Sequence, residues 1–132
     1  MTQAMTISFR EELLAGVHAL TTDTLKIALY RPESNVSTAT AAYTPLQEAA
    51  GGEYVAGGQE VTNATVLTVA GETRLLADPV AWTQIDGSVR YALLYNNDKQ
   101  QRSVALFDLF STITPGNQPL RLRFEPFLLV LR

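Results

Sequence analysis

His18 is the first residue to test for chemistry, because it is the only histidine and the chain has no cysteine. No second imidazole or thiolate exists to share a metal ion with it. A serine nucleophile would need His18 or a lysine as its base, and no Gly-x-Ser-x-Gly elbow is present. We interpret His18 as a surface or helix-end side chain, and we predict no catalytic residue, metal site or cofactor.

The carboxylates are scattered along the chain. Asp78, Asp86 and Asp98 fall at predicted strand ends or turns, where aspartate bonds to backbone N–H groups. Asp108 differs, since it lies within an apolar strand on the face opposite Phe107. A pair of acids could hydrolyse a glycoside in principle, but no spacing singles one out. We predict that the protein is not an enzyme.

Four side chains are candidates for contact with a partner. Tyr43 and Tyr54 lie in an irregular segment, whereas most other aromatic residues lie on predicted strands and are expected in the core. Arg121 and Arg123 are two residues apart on one exposed face of a predicted strand. As a pair they could bind carboxylates of a partner bidentately. A solvated strand face is the alternative interpretation of the arginines.

A short amphipathic helix is predicted for residues 9–20. Ser8 and Glu11 match a capping box at its start. An apolar stripe follows at helical spacing, formed by Phe9, Leu13, Val17 and Leu20. Such a short helix is marginal alone, so it should dock on the β domain or on another subunit. The preceding residues, 1–6, are predicted to be loose.

The rest of the chain predicts about eight strands separated by turn residues. They are Thr24–Tyr30, Val61–Val69, Thr73–Ala77, Val80–Ile85, Val89–Tyr95, Arg102–Phe110, Leu120–Glu125 and Phe127–Leu131. Asp86-Gly87 predicts a hairpin before Val89. The stretch Val89–Asn96 has strand formers on both faces and is predicted to be the central strand. The spacing favours one all-β domain, residues 1–132, built as an antiparallel sandwich or barrel.

Residues 33–59 form a long irregular region rich in Ser, Thr, Ala and Gly. Gly57-Gly58 permits positive φ and close backbone approach. Long loops in compact domains are usually functional or mobile. Both a contact loop against a partner and a simple surface Ω-loop fit this pattern.

Composition limits the classes of function. Charged residues are 17% of the chain, below the typical value of about 25%, so part of the surface is expected to be covered by a partner. The net charge of −3 offers no basic excess for nucleic acid. No apolar run reaches the ~18 residues of a membrane span, and no signal peptide is visible. We expect synthesis in a cytoplasm, without export or membrane insertion.

Several blocks, in order, resemble small structural proteins of tailed-phage virions that decorate or cement capsids. The blocks are Phe9–His18, Asp23–Tyr30, Tyr54–Gly58, Trp82 and Arg90–Asn96. The resemblance implies a jelly-roll-like β-sandwich bound outside a shell of HK97-type major capsid protein, often as a homodimer or another homo-oligomer. It implies no catalytic residues. The implied location is the capsid surface of a virion assembled in the bacterial host cytoplasm.

Two alternatives remain open at this point. A receptor- or carbohydrate-binding module of a tail or head fibre would also suit the fold class, because jelly rolls include lectins. A hydrolase is the third hypothesis. Neither the partner-facing surface nor the oligomeric state nor a head or tail location follows from the residues.

Overall fold

The computed structural model describes residues 2–116, 118–124 and 128–131. Within them lie ten strands and one helix, in the order β1 (Thr2–Met5), α1 (Ile7–Leu14), β2 (Leu25–Tyr30), β3 (Gln59–Glu60), β4 (Thr65–Val69), β5 (Glu72–Leu76), β6 (Val80–Trp82), β7 (Val89–Asn96), β8 (Arg102–Ile113), β9 (Leu120–Leu122) and β10 (Leu129–Leu131). All of the pairings are antiparallel, in three sheets of order β1-β8-β7-β2-β3, β10-β5-β4 and β6-β9. The predicted all-β, sandwich-like fold with one short helix is confirmed.

Strand β7 is the middle strand of the largest sheet, as its apolar character on both faces predicts. It pairs with β2 in unbroken register from Leu25↔Asn96 to Tyr30↔Tyr91. Successive side chains of a strand point to opposite faces. The strand is therefore covered by protein on both sides, and its last five residues are all buried.

The two faces of the large sheet belong to two separate hydrophobic clusters. On one face Leu94 belongs to the main core, together with Phe9 of α1 and Trp82 of β6. On the other face Leu93 and Tyr95 form a smaller cluster, whose further members are Ala28, Tyr30 and Val36. The second cluster exists because the chain between β2 and β3 folds over that face.

Helix α1 is shorter than predicted and begins earlier. It spans Ile7–Leu14, with Thr6 as the N-cap, so the predicted Ser8 cap and the bounds 9–20 are wrong. Gly16 has φ +76, a conformation that ends helices readily. Phe9 is fully buried and docks the helix on the sandwich. No helix in the described part of the chain combines the length and the hydropathy that crossing a bilayer requires.

The N-terminal residues are ordered by pairing and not loose. Strand β1 pairs with β8 from Thr2↔Asp108 to Met5↔Ala105. The edge of β8 offers a ladder of N–H and C=O groups, which favours addition of even a short polar strand. The prediction of a loose lead was therefore wrong.

Two other predictions fail, the first because long-range pairing overrides the local pattern. Asp86-Gly87 does not close a hairpin: β6 pairs with β9, through Ala81↔Arg121, instead of with β7. Of the predicted strand Val61–Val69, only Thr65–Val69 forms a strand, β4; residues 61–64 lie outside any strand, and Asn63 among them has φ +56. The other strands form near their predicted positions, and Asn117, Glu125, Pro126 and Phe127 lie outside the described residues.

Candidate functional site

Residues 31–58, which we call the anchored loop, run along the edge of β2. Glu48 forms an antiparallel bridge with Tyr30, and the Ala49 N–H donates to the Leu29 carbonyl at 2.8 Å. The loop thus continues the sheet beside the end of β2, while β3 covers its beginning. An edge that would otherwise expose unpaired backbone groups is closed by the chain itself.

The Glu48 carboxylate, 9% exposed, fixes the loop at three points. Tyr43 Oη donates to Oε1 at 2.5 Å, Tyr54 Oη donates to Oε2 at 2.5 Å, and the Gly57 N–H donates to Oε2 at 2.8 Å. A buried carboxylate is tolerated only when it is bonded in this way. Tyr54 Oη also accepts the Leu29 N–H at 3.0 Å, so the network joins the loop to β2.

The tyrosine hydroxyls remain protonated donors in this setting. Burial first, and then the negative charge of Glu48, raise the pKa of Tyr95 to about 12. The same two causes raise the pKa of Tyr43 and of Tyr54 well above the usual tyrosine value. Tyr95 Oη donates to the Gly57 carbonyl at 2.5 Å, and its ring stacks on Tyr43 with centroids 4.9 Å apart.

Gly58 lets the end of the loop touch β2. It has φ +82, and a Cβ atom there would lie 1.8 Å from the Ile27 carbonyl oxygen. Real Cβ atoms do not approach oxygen so closely, and an L-residue is strained at this φ. The close approach expected from the Gly57-Gly58 pair therefore occurs, and it is made against the protein's own central sheet.

The two loop tyrosines predicted as partner contacts belong to the hydrogen-bond network that holds the loop in place. Tyr54 is 9% exposed and stacks with Trp82, with centroids 6.3 Å apart, while Tyr43 is half-buried. The large apolar side chains that the loop exposes are Leu46, at 59%, and Val55, at 70%. The tyrosines position the loop, and the aliphatic side chains are the ones available for direct contact.

Arg121 and Arg123 are both exposed, but only Arg121 lies on a strand, because β9 ends at Leu122. Arg121 lies on β9 between the buried side chains of Leu120 and Leu122. Neither guanidinium has a hydrogen bond or an ion pair to any residue that the structure describes. Both charges are therefore available, and partner contact through them stays a prediction.

His18 lies in a buried polar cluster, so the prediction of a surface side chain is wrong. Its side chain is 0% exposed, with Nε2 at 3.0 Å from Glu12 Oε1 and Nδ1 at 3.0 Å from Asn96 Nδ2. Because an amide nitrogen only donates, Nδ1 accepts and Nε2–H donates to Glu12. Glu12 also pairs with Arg102 at 3.3 Å. His18 thus ties the segment after α1 to β7 and β8.

Asp23 belongs to the same cluster. It accepts from Asn96 Nδ2 at 2.7 Å and from the Ala19 N–H at 2.9 Å, and Lys99 Nζ lies 3.0 Å from its other oxygen. Burial opposes the charged form, but these bonds and the ammonium outweigh burial and lower the pKa of Asp23 to about 2. The cluster fastens the connection between α1 and β2.

The turn aspartates act on the local backbone and on neighbouring side chains. Asp98 accepts the Thr24 N–H at 2.7 Å, which confirms its predicted role. Asp78 accepts from the Asn63 side chain at 2.5 Å, and Asp86 forms a backbone bridge to the anchored loop. These contacts stabilise connections between strands.

A second exposed feature lies near the end of β8. Asp108 Oδ1 accepts the Phe110 N–H at 2.9 Å and Arg90 Nε at 3.2 Å, and these two bonds, the backbone one first, lower the pKa of Asp108. Phe110 has φ +69 and is 59% exposed, which is unusual for a bulky side chain. Arg90 also lies over the Tyr91 ring, 5.7 Å from its centroid. An exposed aromatic ring thus lies beside a half-buried pair of acid and guanidinium.

No group of three His, Asp or Glu side chains among the described residues could hold a metal ion. Comparisons of the chain with protein-family models, with curated proteins and with solved structures found no match.

Sequence reasoning missed Glu48, the residue on which the loop depends. Its neighbours, Leu46 and Ala49, give no periodic pattern that would mark a buried acid. Val55 was detectable, because it is an isolated aliphatic residue between two glycine pairs. The exposure of Phe110 had no signal, since the alternation of the predicted strand does not mark a residue with positive φ.

Proposed function

We propose that this chain is a non-enzymatic structural protein of a tailed-phage virion, which binds the shell of major capsid protein and cements it. The resemblance of its sequence blocks to such proteins and the all-β, sandwich-like fold support this proposal. The observation that carries it furthest is the anchored loop, a pre-ordered surface that exposes apolar side chains. The proposed location is the capsid surface, after assembly in the bacterial host cytoplasm.

The anchored loop is built for contact at low entropic cost. Leu46 lies two residues before Glu48, and Val55 follows Tyr54, so both exposed side chains are attached to fixed points. Ordering a flexible side chain on binding costs about 0.5–1.5 kcal/mol. A backbone that is already held by the Glu48 network avoids much of the corresponding loop-ordering cost.

The arginine pair adds a charged contact. Arg121 on β9 and Arg123 just beyond its end are exposed and have no ion pairs among the described residues, in a chain whose net charge is −3. A local positive pair selects partner surfaces that carry carboxylates. Acidic residues at the junctions between capsid subunits would meet this requirement.

The chain would cement the shell by bridging neighbouring capsid subunits. A copy that contacts two neighbouring capsid subunits adds contact free energy, which opposes their separation under the pressure of packaged DNA. Attachment through a homo-oligomer would raise the apparent affinity well above that of one contact. The proposed partners are therefore the major capsid protein and further copies of this chain, without nucleic acid or membrane.

A reconstitution experiment tests the proposal. Shells assembled from the major capsid protein encoded in the same genome are incubated with the wild-type protein, with the variant Leu46→Asp/Val55→Asp, and with Leu14→Asp. Leu14 is 92% exposed on α1, outside the loop, and serves as the matched control. Wild type and control should bind in proportion to capsid subunits and raise the dissociation temperature of the shell.

The loop variant should bind at least about tenfold more weakly, a loss of about 1.4 kcal/mol. Failure of the wild-type protein to bind shells would refute the capsid role. A copy number of six or twelve in purified particles would also refute it, because tails and necks have that symmetry. Equal binding of the loop variant would refute the assignment of the loop as the contact.

A carbohydrate-binding module is the second candidate, and the patch at Phe110 favours it. Sugar sites pair an exposed aromatic ring with charged side chains that bond hydroxyl groups, and Phe110 lies beside Asp108 and Arg90. A glycan array with the wild-type protein and Phe110→Ala distinguishes the candidates. Binding of a glycan that Phe110→Ala abolishes would favour this module, and no binding on the array would exclude it for the glycans tested.

A further inference from the structure

Strand β4, Thr65–Val69, is an unprotected sheet edge. It is the outer strand of the sheet β10-β5-β4, and all five of its residues are exposed. Val66 is 55% exposed, Leu67 45% and Val69 43%. Natural edge strands usually carry a charge, a proline or a bulge that prevents pairing. Strand β4 has none of these, and its register with β5 is unbroken.

The backbone of β4 presents free hydrogen-bonding groups at regular spacing. The two-residue turn Ala70-Gly71, with φ +52 and +82, closes the β4–β5 hairpin at the pair Val69↔Glu72. Such a closing pair is hydrogen-bonded, and bonded pairs alternate along an antiparallel ladder. Val66 and Thr68 therefore direct their N–H and C=O groups away from β5. No other described segment accepts or donates to them.

The other end of the large sheet shows how this protein protects an edge. Strand β3 is two residues long and includes the charged residue Glu60. The anchored loop covers the remainder of the β2 edge through Glu48. Against that background, the long uncharged edge of β4 is a surface suited to strand addition.

We propose that β4 pairs antiparallel with β4 of a second copy of this chain, about a twofold axis that passes between the two Leu67 residues. In this register Val66 of each copy lies opposite Thr68 of the other, so both outward-facing residues of each strand are hydrogen-bonded. The two three-stranded sheets become one sheet of six strands. The inference is independent of capsid binding, because it concerns the isolated protein.

The side chains of β4 favour a second copy as the occupant. Antiparallel pairing of β4 with β4 of the second copy places Thr65 opposite Val69, Val66 opposite Thr68, and Leu67 opposite Leu67. Each pair is aliphatic or β-branched, which stabilises cross-strand contacts. No charge on the strand repels its copy, and none selects an oppositely charged foreign segment.

The same register extends the apolar surface around Val66. Val66 forms part of the rim of an apolar cavity of about 60 Å³, which is lined also by Phe9, Leu13, Leu75 and Leu129. Residues opposite one another in a ladder point to the same face, so Thr68 of the second copy would lie beside Val66. Pairing would therefore reduce the exposure of both the strand and this rim.

Sedimentation equilibrium and paired charge variants test the dimer. The wild-type protein should pass from monomer to dimer between micromolar and millimolar concentration. Leu67→Lys alone and Leu67→Glu alone should stay monomeric, because like charges meet across the axis, and an equimolar mixture of the two should dimerise. Leu14→Lys, on exposed α1, should dimerise as the wild type does.

Cysteine cross-linking tests the register, since the chain has no natural cysteine. Side chains opposite one another in a non-bonded pair have Cβ atoms about 4.5–5.5 Å apart, so Leu67→Cys should form a disulfide dimer rapidly on oxidation. Thr65→Cys should cross-link to Val69→Cys in a mixture and only slowly to itself. A wild-type protein that is monomeric at every concentration would overturn the proposal, as would equal cross-linking of Leu14→Cys and Leu67→Cys.

Discussion

Tyr54 Oη donates a hydrogen bond of 2.5 Å to Glu48 Oε2, and this contact holds the two halves of the anchored loop together. The same hydroxyl accepts the N–H of Leu29, a backbone donor on β2 that would otherwise be buried without a partner. One oxygen atom therefore contributes both to the order of the loop and to the closure of the sheet edge. The relationship explains why a segment without regular secondary structure is well packed.

Removing that oxygen should destabilise the protein. Tyr54→Phe leaves the Leu29 N–H without its partner and Glu48 Oε2 with the Gly57 N–H alone, which costs about 1–3 kcal/mol. Tyr91→Phe is the matched control, because Tyr91 is half-buried and its hydroxyl has no bond within the described residues. Urea unfolding should show a clearly lower free energy of unfolding for Tyr54→Phe, and a change within about 0.5 kcal/mol for Tyr91→Phe. Equal midpoints would contradict the role of the hydroxyl.

Two glycines with the same φ allow the backbone strain and the steric clash to be separated. Gly58 and Gly71 both have φ +82, but a Cβ at Gly58 would meet the Ile27 carbonyl, whereas at Gly71 nothing lies within 4 Å. Gly71→Ala should cost about 1 kcal/mol, from strain alone. Gly58→Ala should cost at least about 3 kcal/mol, because the loop must leave the β2 edge. Thermal unfolding monitored by circular dichroism measures both, and similar losses would show that the contact with β2 is not required.

The positions of most strands could be predicted from the sequence, since alternation and turn residues are local properties. The pairing of β6 with β9, through Ala81↔Arg121, could not be predicted, because partners far apart in the chain compete with the local hairpin signal. The buried role of Glu48 also depends on donors that are brought together only by folding. The sequence predicts Tyr43 and Tyr54 as partner contacts because they lie in an irregular segment, and in the structure both hydroxyls bond to Glu48 and support the loop.

Asp23 should make stability depend on acid pH. Its pKa is about 2 in the folded protein and about 3.9 in an unfolded chain, so the unfolded state binds the proton more readily. The contribution of ionised Asp23 to the free energy of unfolding is present in full above about pH 5 and is lost as the pH falls toward 2. Its size is on the order of 2 kcal/mol. Asp23→Asn should lower the free energy of unfolding at pH 7. In a plot of the urea midpoint of unfolding against pH, the variant should show a smaller decrease between about pH 5 and pH 2 than the wild type. Glu53→Gln, which removes an exposed loop carboxylate, is the matched control for the loss of one negative charge.

Under the proposed capsid role, the arginine pair should make attachment to the shell sensitive to salt. Arg121→Glu/Arg123→Glu reverses two exposed charges that have no partner among the described residues, so the fold should be unaffected and attachment weakened. Contacts of this kind are screened within about 8 Å at physiological ionic strength. Wild-type attachment should therefore fall as salt rises, whereas attachment of the variant should rise, because salt screens the repulsion between its glutamates and the partner's carboxylates. Identical salt dependence of the two proteins would place the charged contact elsewhere.

Tyr95 should make stability fall in alkali. Its pKa is raised to about 12 in the folded protein, against about 10 in an unfolded chain, because burial and the Glu48 charge both disfavour the phenolate. The unfolded state therefore loses its proton first, and the contribution that is complete below pH 10 disappears as the pH approaches 12. Absorbance at 295 nm should show Tyr95 ionising together with unfolding, and Tyr95→Phe should remove one ionisation from that late step. If Tyr95→Phe instead removes an ionisation near pH 10 while the fold is intact, the hydroxyl is not held by the Gly57 carbonyl in solution.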